Sequence, residues 1–347
     1  MRRILLACII FLFILPFSVQ AASDTAPPVP DQGVRYMPED TESFAEGLWS
    51  IVKDGISAIA PSLEEAGTVC ASILGVLILI SLVNQFIDSP DSLSESIGCI
   101  IISTLLLRTA NSLIVVGIRT VEDVSNYGKL LVPALTGALA TQGGVATSAA
   151  LYVGTAFFSS LLSWAVSGLL RPMIYIYLAA TIVHSLTEES IVSNLCDFIK
   201  WTFTWGLKIA LYVFTGYITI TGVISGSTDA ARLKATKLTI SGMVPVVGGI
   251  ISDASEGILV SAGLVKSTIG VYGLLAISAV CIEPFLTIGV QYLLLKVTAA
   301  FCQVFQCPKI HKLLKRFSTT MGFVLAMIGA VCLMLYVSIV CFLKGVA

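Results

Sequence analysis

The feature that most constrains this chain is a succession of apolar segments, each long enough or nearly so to cross the ~30 Å hydrocarbon core of a bilayer. Eight can be marked, at about 68–87, 97–118, 146–170, 172–187, 201–224, 258–282, 285–306 and 320–343. Charged residues make up only 12% of the 347 and hydrophobic ones 56%, whereas a soluble domain carries about 25% charged residues because its surface faces water. One globular core cannot bury so many apolar side chains. The expected fold is an all-α polytopic membrane protein of about eight transmembrane helices. The 20 Lys and Arg against 21 Asp and Glu give a net charge of −1, so there is no basic excess to neutralise phosphates, and nucleic acid is set aside as a partner.

Residues 1–21 read as a signal peptide: Arg2 and Arg3, an apolar run from Ile4 to Phe17, then the small-x-small pattern Val19-Gln20-Ala21. The alternative is an uncleaved first span. Cleavage would leave the mature N-terminus outside the cytoplasm, and 22–67 would be a short extracytoplasmic segment. Pro27, Pro28, Pro30 and Pro38 keep its start extended. Phe44, Leu48, Val52, Ile56 and Ile59 then recur at helical spacing, with Ser43 and Glu46 placed as a capping box. This amphipathic helix lies on the membrane face, packs on the spans or docks a partner. Residues 68–347 form the polytopic domain.

Two pairs of apolar segments are separated only by Arg171-Pro172 and by Glu283-Pro284. Each pair is expected to be a tight helical hairpin, with proline in the first turn of its second helix. With an outside N-terminus and eight spans, the basic clusters at Arg171, at Arg232, Lys234 and Lys237, and at Lys309, Lys312, Lys315 and Arg316 all fall inside. Two further stretches, Leu131-Val-Pro-Ala-Leu-Thr-Gly137 and Met243-Val-Pro-Val-Val-Gly-Gly249, are too apolar for loops and too broken for ordinary spans. Pro133 to Pro172 is 172 − 133 = 39 residues, and Pro245 to Pro284 is 284 − 245 = 39. That equality suggests inverted three-helix repeats over about 131–224 and 243–336, the arrangement with which many transporters build a midplane site. Coincidence between two Pro-rich membrane sequences is the alternative reading.

Irregular backbone at membrane depth must be buried in protein or face water. Segments 131–145 and 243–257 are therefore candidate re-entrant elements, and Pro133, Gly137, Pro245, Gly248, Gly249 and Asp253 are candidate pore or broken-helix residues; interfacial loops are the alternative. Arg108, mid-span, is a candidate intramembrane charge of the kind that faces a bundle interior or an aqueous cavity, with Glu283 as a candidate partner. Lys208, Lys266 and Lys296 lie nearer span ends, where snorkelling accounts for them. The nine cysteines, mostly in apolar runs, read as small hydrophobes rather than a disulfide framework or zinc site. The only histidines, His184 and His311, are not spaced as a metal pair, and no hydrolase, P-loop or dinucleotide motif occurs. No enzymatic activity and no cofactor are expected.

The run Ser225-Gly-Ser-Thr-Asp-Ala-Ala-Arg-Leu-Lys-Ala-Thr-Lys237, then Gly242-Met-Val-Pro-Val-Val-Gly-Gly249, Ser252-Asp-Ala-Ser-Glu256 and Val265-Lys-Ser-Thr-Ile-Gly-Val271, resembles the stage III sporulation protein AE family. The likeness covers nearly the whole chain and is most specific between about 225 and 271. It implies an endospore former and a multi-pass protein of the mother-cell membrane around the forespore. There the chain would be a subunit of a channel or secretion-like complex. The implied partners are the other stage III A proteins, a secretion-type ATPase among them, and a forespore membrane protein across the gap. The competing expectation is a stand-alone secondary transporter with an inverted-repeat core; a purely structural scaffold is a third.

Overall fold

A computed structural model describes the backbone of residues 26–38, 43–86, 92–142, 144–243, 248–305 and 307–344, and their side chains outside 85–86, 92–93, 219, 221–243, 248–266 and 344. The expected signal peptide, Pro245 and the side chains of Gly248, Gly249 and Asp253 lie outside the described residues. The elements are α1 (Asp31–Val34), α2 (Phe44–Ala58), α3 (Ala60–Phe86), α4 (Ser92–Thr141), α5 (Val145–Ala165), a π-helical stretch (Val166–Leu170), α6 (Arg171–Thr187), α7 (Ser190–Met243), α8 (Gly248–Val304) and α9 (Pro308–Lys344). The fold is all-helical, as the apolar segments required.

The helices are longer than expected. With 50 and 57 residues, α4 and α8 extend about 75 and 85 Å at ~1.5 Å per residue, more than twice the thickness of a hydrocarbon core. α4 and α9 run parallel, Gly117 lying against Val324 and Gly128 against Leu335, while α8 runs antiparallel to both, Gly273 lying against Leu131. At one end of the bundle Arg316 donates to Ser193 Oγ at 2.8 Å, Lys309 to Ser96 Oγ at 3.3 Å, and Lys312 lies 3.8 Å from Glu188. Those contacts place the α6–α7 connection beside the start of α9.

Five helical runs among the described residues are long and apolar enough to cross a membrane: Ala60–Asn84, Ser94–Thr141, Val145–Thr187, Ser267–Val304 and Pro308–Leu343. Neither expected hairpin forms. The segments 146–170 and 172–187 are one helical run, joined through the π-helical stretch, and 258–282 and 285–306 both lie on α8. The physical reason differs at the two prolines. A proline ring clashes with the carbonyl four residues back, and the wider π turn just before Pro172 relieves that clash. Pro284 lies within α8, where packing from neighbouring helices tolerates the missing donor. Arg171 thus falls inside a helical run rather than in an inner turn, and the alternation that assigned the basic clusters no longer applies. Pro133 likewise lies inside α4, which continues to Thr141, so 131–137 is not a separate re-entrant segment.

The N-terminal segment packs on the bundle. Ser43 Oγ accepts from the Glu46 amide at 3.3 Å, which starts α2 as its spacing required. The face that α2 buries is Phe44, Gly47, Ile51 and Gly55, with Ile56 exposed. It is rotated from the expected stripe, with α8 close against Gly55, where a Cβ would meet Ile282 Cγ1 at 2.6 Å; on α1, a Cβ on Gly33 would likewise meet Val280 Cγ2 at 2.7 Å. Ser62 Oγ and Thr287 Oγ1 share a hydrogen bond at 3.1 Å where α3 starts beside α8.

Candidate intramembrane polar face

On α4, Thr104, Arg108, Asn111, Arg119, Glu122, Asn126 and Lys129 are all exposed, and so are Pro133 and Gly137 beyond them. At ~100° per residue these positions fall within an arc of about 80° on one side of the helix. The structure therefore aligns Arg108 on the same helix face as Pro133 and Gly137, which the sequence singled out as one broken segment, although Pro133 lies 133 − 108 = 25 residues further along. Val115 is the apolar interruption in it.

The surroundings of this face are apolar. Ile100, Ile101, Leu105, Leu107 and Val116 flank it and are exposed as well. From Glu95 to Arg119 is 119 − 95 = 24 residues, about 36 Å of helix, close to the thickness of a hydrocarbon core. Arg108 stands near the middle of that stretch. Thr104 satisfies its hydroxyl on the Ile100 carbonyl at 2.9 Å, and Tyr175 of α6 donates to Asn111 Oδ1 at 2.9 Å. Lys129 Nζ donates to Asn126 Oδ1 at 3.0 Å. Arg108 makes no hydrogen bond or ion pair with any described residue.

Glu283 is not its partner. Gly117 of α4 lies within reach of Ile288 of α8, and the helices are antiparallel, so Glu283 lies near the level of Glu122. Arg108 is 122 − 108 = 14 residues away, about 20 Å along the axis. Instead, Glu283 accepts a hydrogen bond from the Tyr36 hydroxyl at 3.1 Å and ties the N-terminal segment to α8. Burial pushes the Tyr36 hydroxyl above its ordinary range, and the nearby Glu283 carboxylate adds to the shift. Neither this link nor the length of the α4 stripe was singled out from sequence. The stripe was legible as polar residues recurring at helical period within an apolar run, whereas a contact between residues 36 and 283 leaves no local signal.

No group of three or more His, Cys, Asp or Glu side chains among the described residues is placed to hold a metal ion. His184 Nδ1 lies 3.1 Å from the Glu189 carbonyl, an ordinary partner for a buried imidazole.

The family described as stage III sporulation protein AE matches residues 41–345 of the chain. A curated relative, the stage III sporulation protein AE of Bacillus subtilis (strain 168), is 25% identical over 278 residues, covering 77% of this chain and 69% of the relative. No solved structure matches the chain. With nearly its whole length matched and with its long apolar helices, this chain belongs to the stage III sporulation protein AE family, as a multi-pass membrane protein with a role in sporulation.

Proposed function

We propose that the chain is the integral-membrane subunit of a channel or secretion-like complex joining mother cell and forespore, needed for spore development. In this reading it resides in the mother-cell membrane around the forespore with its N-terminal segment in the gap between the cells. Its partners are the other stage III A proteins, including a secretion-type ATPase, and a forespore membrane protein across the gap.

One observation carries the reading: the exposed polar face of α4. An unpaired Arg side chain at the centre of a bilayer costs about 2.5–3.5 kcal/mol on insertion scales, and more for an isolated helix. Lipid is therefore a poor neighbour for the stretch from Thr104 to Arg119. Another protein, or water enclosed between proteins, is a good one. A transporter that works alone would turn such a face toward its own interior, where the described helices do not put it.

The test is affinity purification of the tagged protein from sporulating cells in mild detergent, followed by mass spectrometry. Co-purification of the ATPase and the gap-spanning proteins is the expected result. Recovery of the chain alone, together with movement of a defined solute by the chain alone in liposomes, would overturn the complex and favour the solitary transporter.

A further inference from the structure

The sequence offered no pairing among its cysteines, but the fold makes one. Cys281 of α8 and Cys332 of α9 have their sulfurs 2.6 Å apart, closer than two unbonded sulfur atoms pack. We propose that these residues form a disulfide that staples α8 to α9.

The contact belongs to a seam held in register by other side chains. Tyr336, one turn beyond Cys332 on α9, hydrogen-bonds Ser278 and donates to the Leu274 carbonyl at 3.2 Å. Leu274, Ser278 and Cys281 are spaced to share one face of α8, as Cys332 and Tyr336 are on α9. The antiparallel crossing is therefore fixed next to the sulfur pair, and bond formation asks for little movement. Other buried thiols behave differently: Cys302 donates to the Thr298 carbonyl at 3.3 Å and Cys307 to the Phe305 carbonyl at 3.4 Å, each spending its hydrogen on backbone.

The chemistry is thiol–disulfide exchange with an external disulfide, either a small one such as glutathione disulfide or that of a protein dithiol carrier. Cys332 is the more exposed of the two. As a thiolate it attacks one sulfur of the external disulfide and expels the other as a thiolate. The Cys281 thiolate then attacks the Cys332 sulfur and expels the second. The pair loses two protons and two electrons, and the external disulfide becomes two thiols. Residues on either side of Cys281 are covered by the N-terminal segment, Val280 by Gly33 and Ile282 by Gly55, so exchange enters through Cys332. The staple would close a loop of 332 − 281 = 51 residues around the α8–α9 turn.

The experiment uses the full chain in detergent. The protein is reduced, exposed to glutathione disulfide, denatured in SDS with N-ethylmaleimide present so that every free thiol is alkylated, and digested for mass spectrometry. The expected result is a linked peptide containing Cys281 and Cys332 in most molecules, absent from Cys332→Ser, with Cys281 alkylated in that variant. Oxidation should also raise the thermal aggregation midpoint of the wild type and leave that of Cys332→Ser unmoved. Full alkylation of both residues in the oxidised wild type, or a link that joins either of them to a different cysteine, would overturn the proposal. Because those outcomes are read on the wild type, the test stands even if the variant folds poorly.

Discussion

Arg108 is an exposed cation among Ile101, Leu105 and Leu107, so replacing it with an apolar residue makes insertion of α4 easier rather than harder. Arg108→Leu should therefore give as much folded protein as the wild type by size exclusion. If α4 meets a partner or enclosed water, the same variant should lose co-purifying proteins and lower the count of heat-resistant spores at least tenfold. Arg108→Lys, which keeps the charge, should recover part of that loss. Unchanged spore counts in Arg108→Leu would mean that the face touches nothing that matters. Tyr36 makes a different prediction, because it lies outside the membrane-spanning helices and its hydroxyl titrates above its ordinary range. The folded protein holds this proton to higher pH than the unfolded chain does. The stability gained is complete below the ordinary tyrosine value near ~10 and is lost as pH rises through the folded value. Above about pH 10 the segment around Tyr36 should loosen from Glu283, and subtilisin should cut it faster. Tyr36→Phe should show no such step and should cost about 1 kcal/mol at neutral pH, the carboxylate being exposed and screened.

At the scale of the helix, the prolines separate what could be read in the sequence from what could not. That α3, α4 and α9 exist was legible, because long apolar runs admit no other structure in lipid, whereas α8 was read as two helices. The N-cap at Ser43 was legible too, because capping is local chemistry. What misled was reading proline as punctuation. In water a proline inside a helix costs about 3 kcal/mol relative to alanine, and helices usually end near it. Here the helix runs on through the proline, at an exposed position for Pro133 and a buried one for Pro284. The polar face of α4 was half legible for a related reason: Arg108 stood out alone, while Thr104 and Asn111 are common enough in spans to pass unnoticed until the backbone aligned them. Pro133→Ala tests this element. It restores a donor to the Lys129 carbonyl in an unbroken helix, so the variant should melt no lower than the wild type and up to about 3 kcal/mol more stably. Because Pro133 is exposed on the same face as Arg108, spore counts discriminate further. A drop without loss of fold would mark a face in contact, and no change would favour a scaffold.

For the whole molecule, the decisive dimension is the run from Val145 to Thr187. Its 43 residues extend about 64 Å as a single helix. As two helices folded back at Arg171-Pro172 they would fit within one bilayer. The two arrangements give different proteins. A hairpin keeps the chain within the membrane, as a compact transporter requires. A continuous run carries one end of α4, α5, α8 and α9 well past a single hydrocarbon core. Val153 and Val183 distinguish them, since both side chains are exposed and lie 183 − 153 = 30 residues apart. Spin labels on ketone-bearing residues at these positions leave the native cysteines untouched. Double electron–electron resonance in nanodiscs should give a separation of about 45 Å for the continuous helix, against about 15 Å for a hairpin with helices packed ~10 Å apart. The short distance would restore the hairpin and with it the inside placement of Arg171. The long distance would leave the π-helical stretch at Val166–Leu170 as the one joint in a rod that reaches beyond the bilayer.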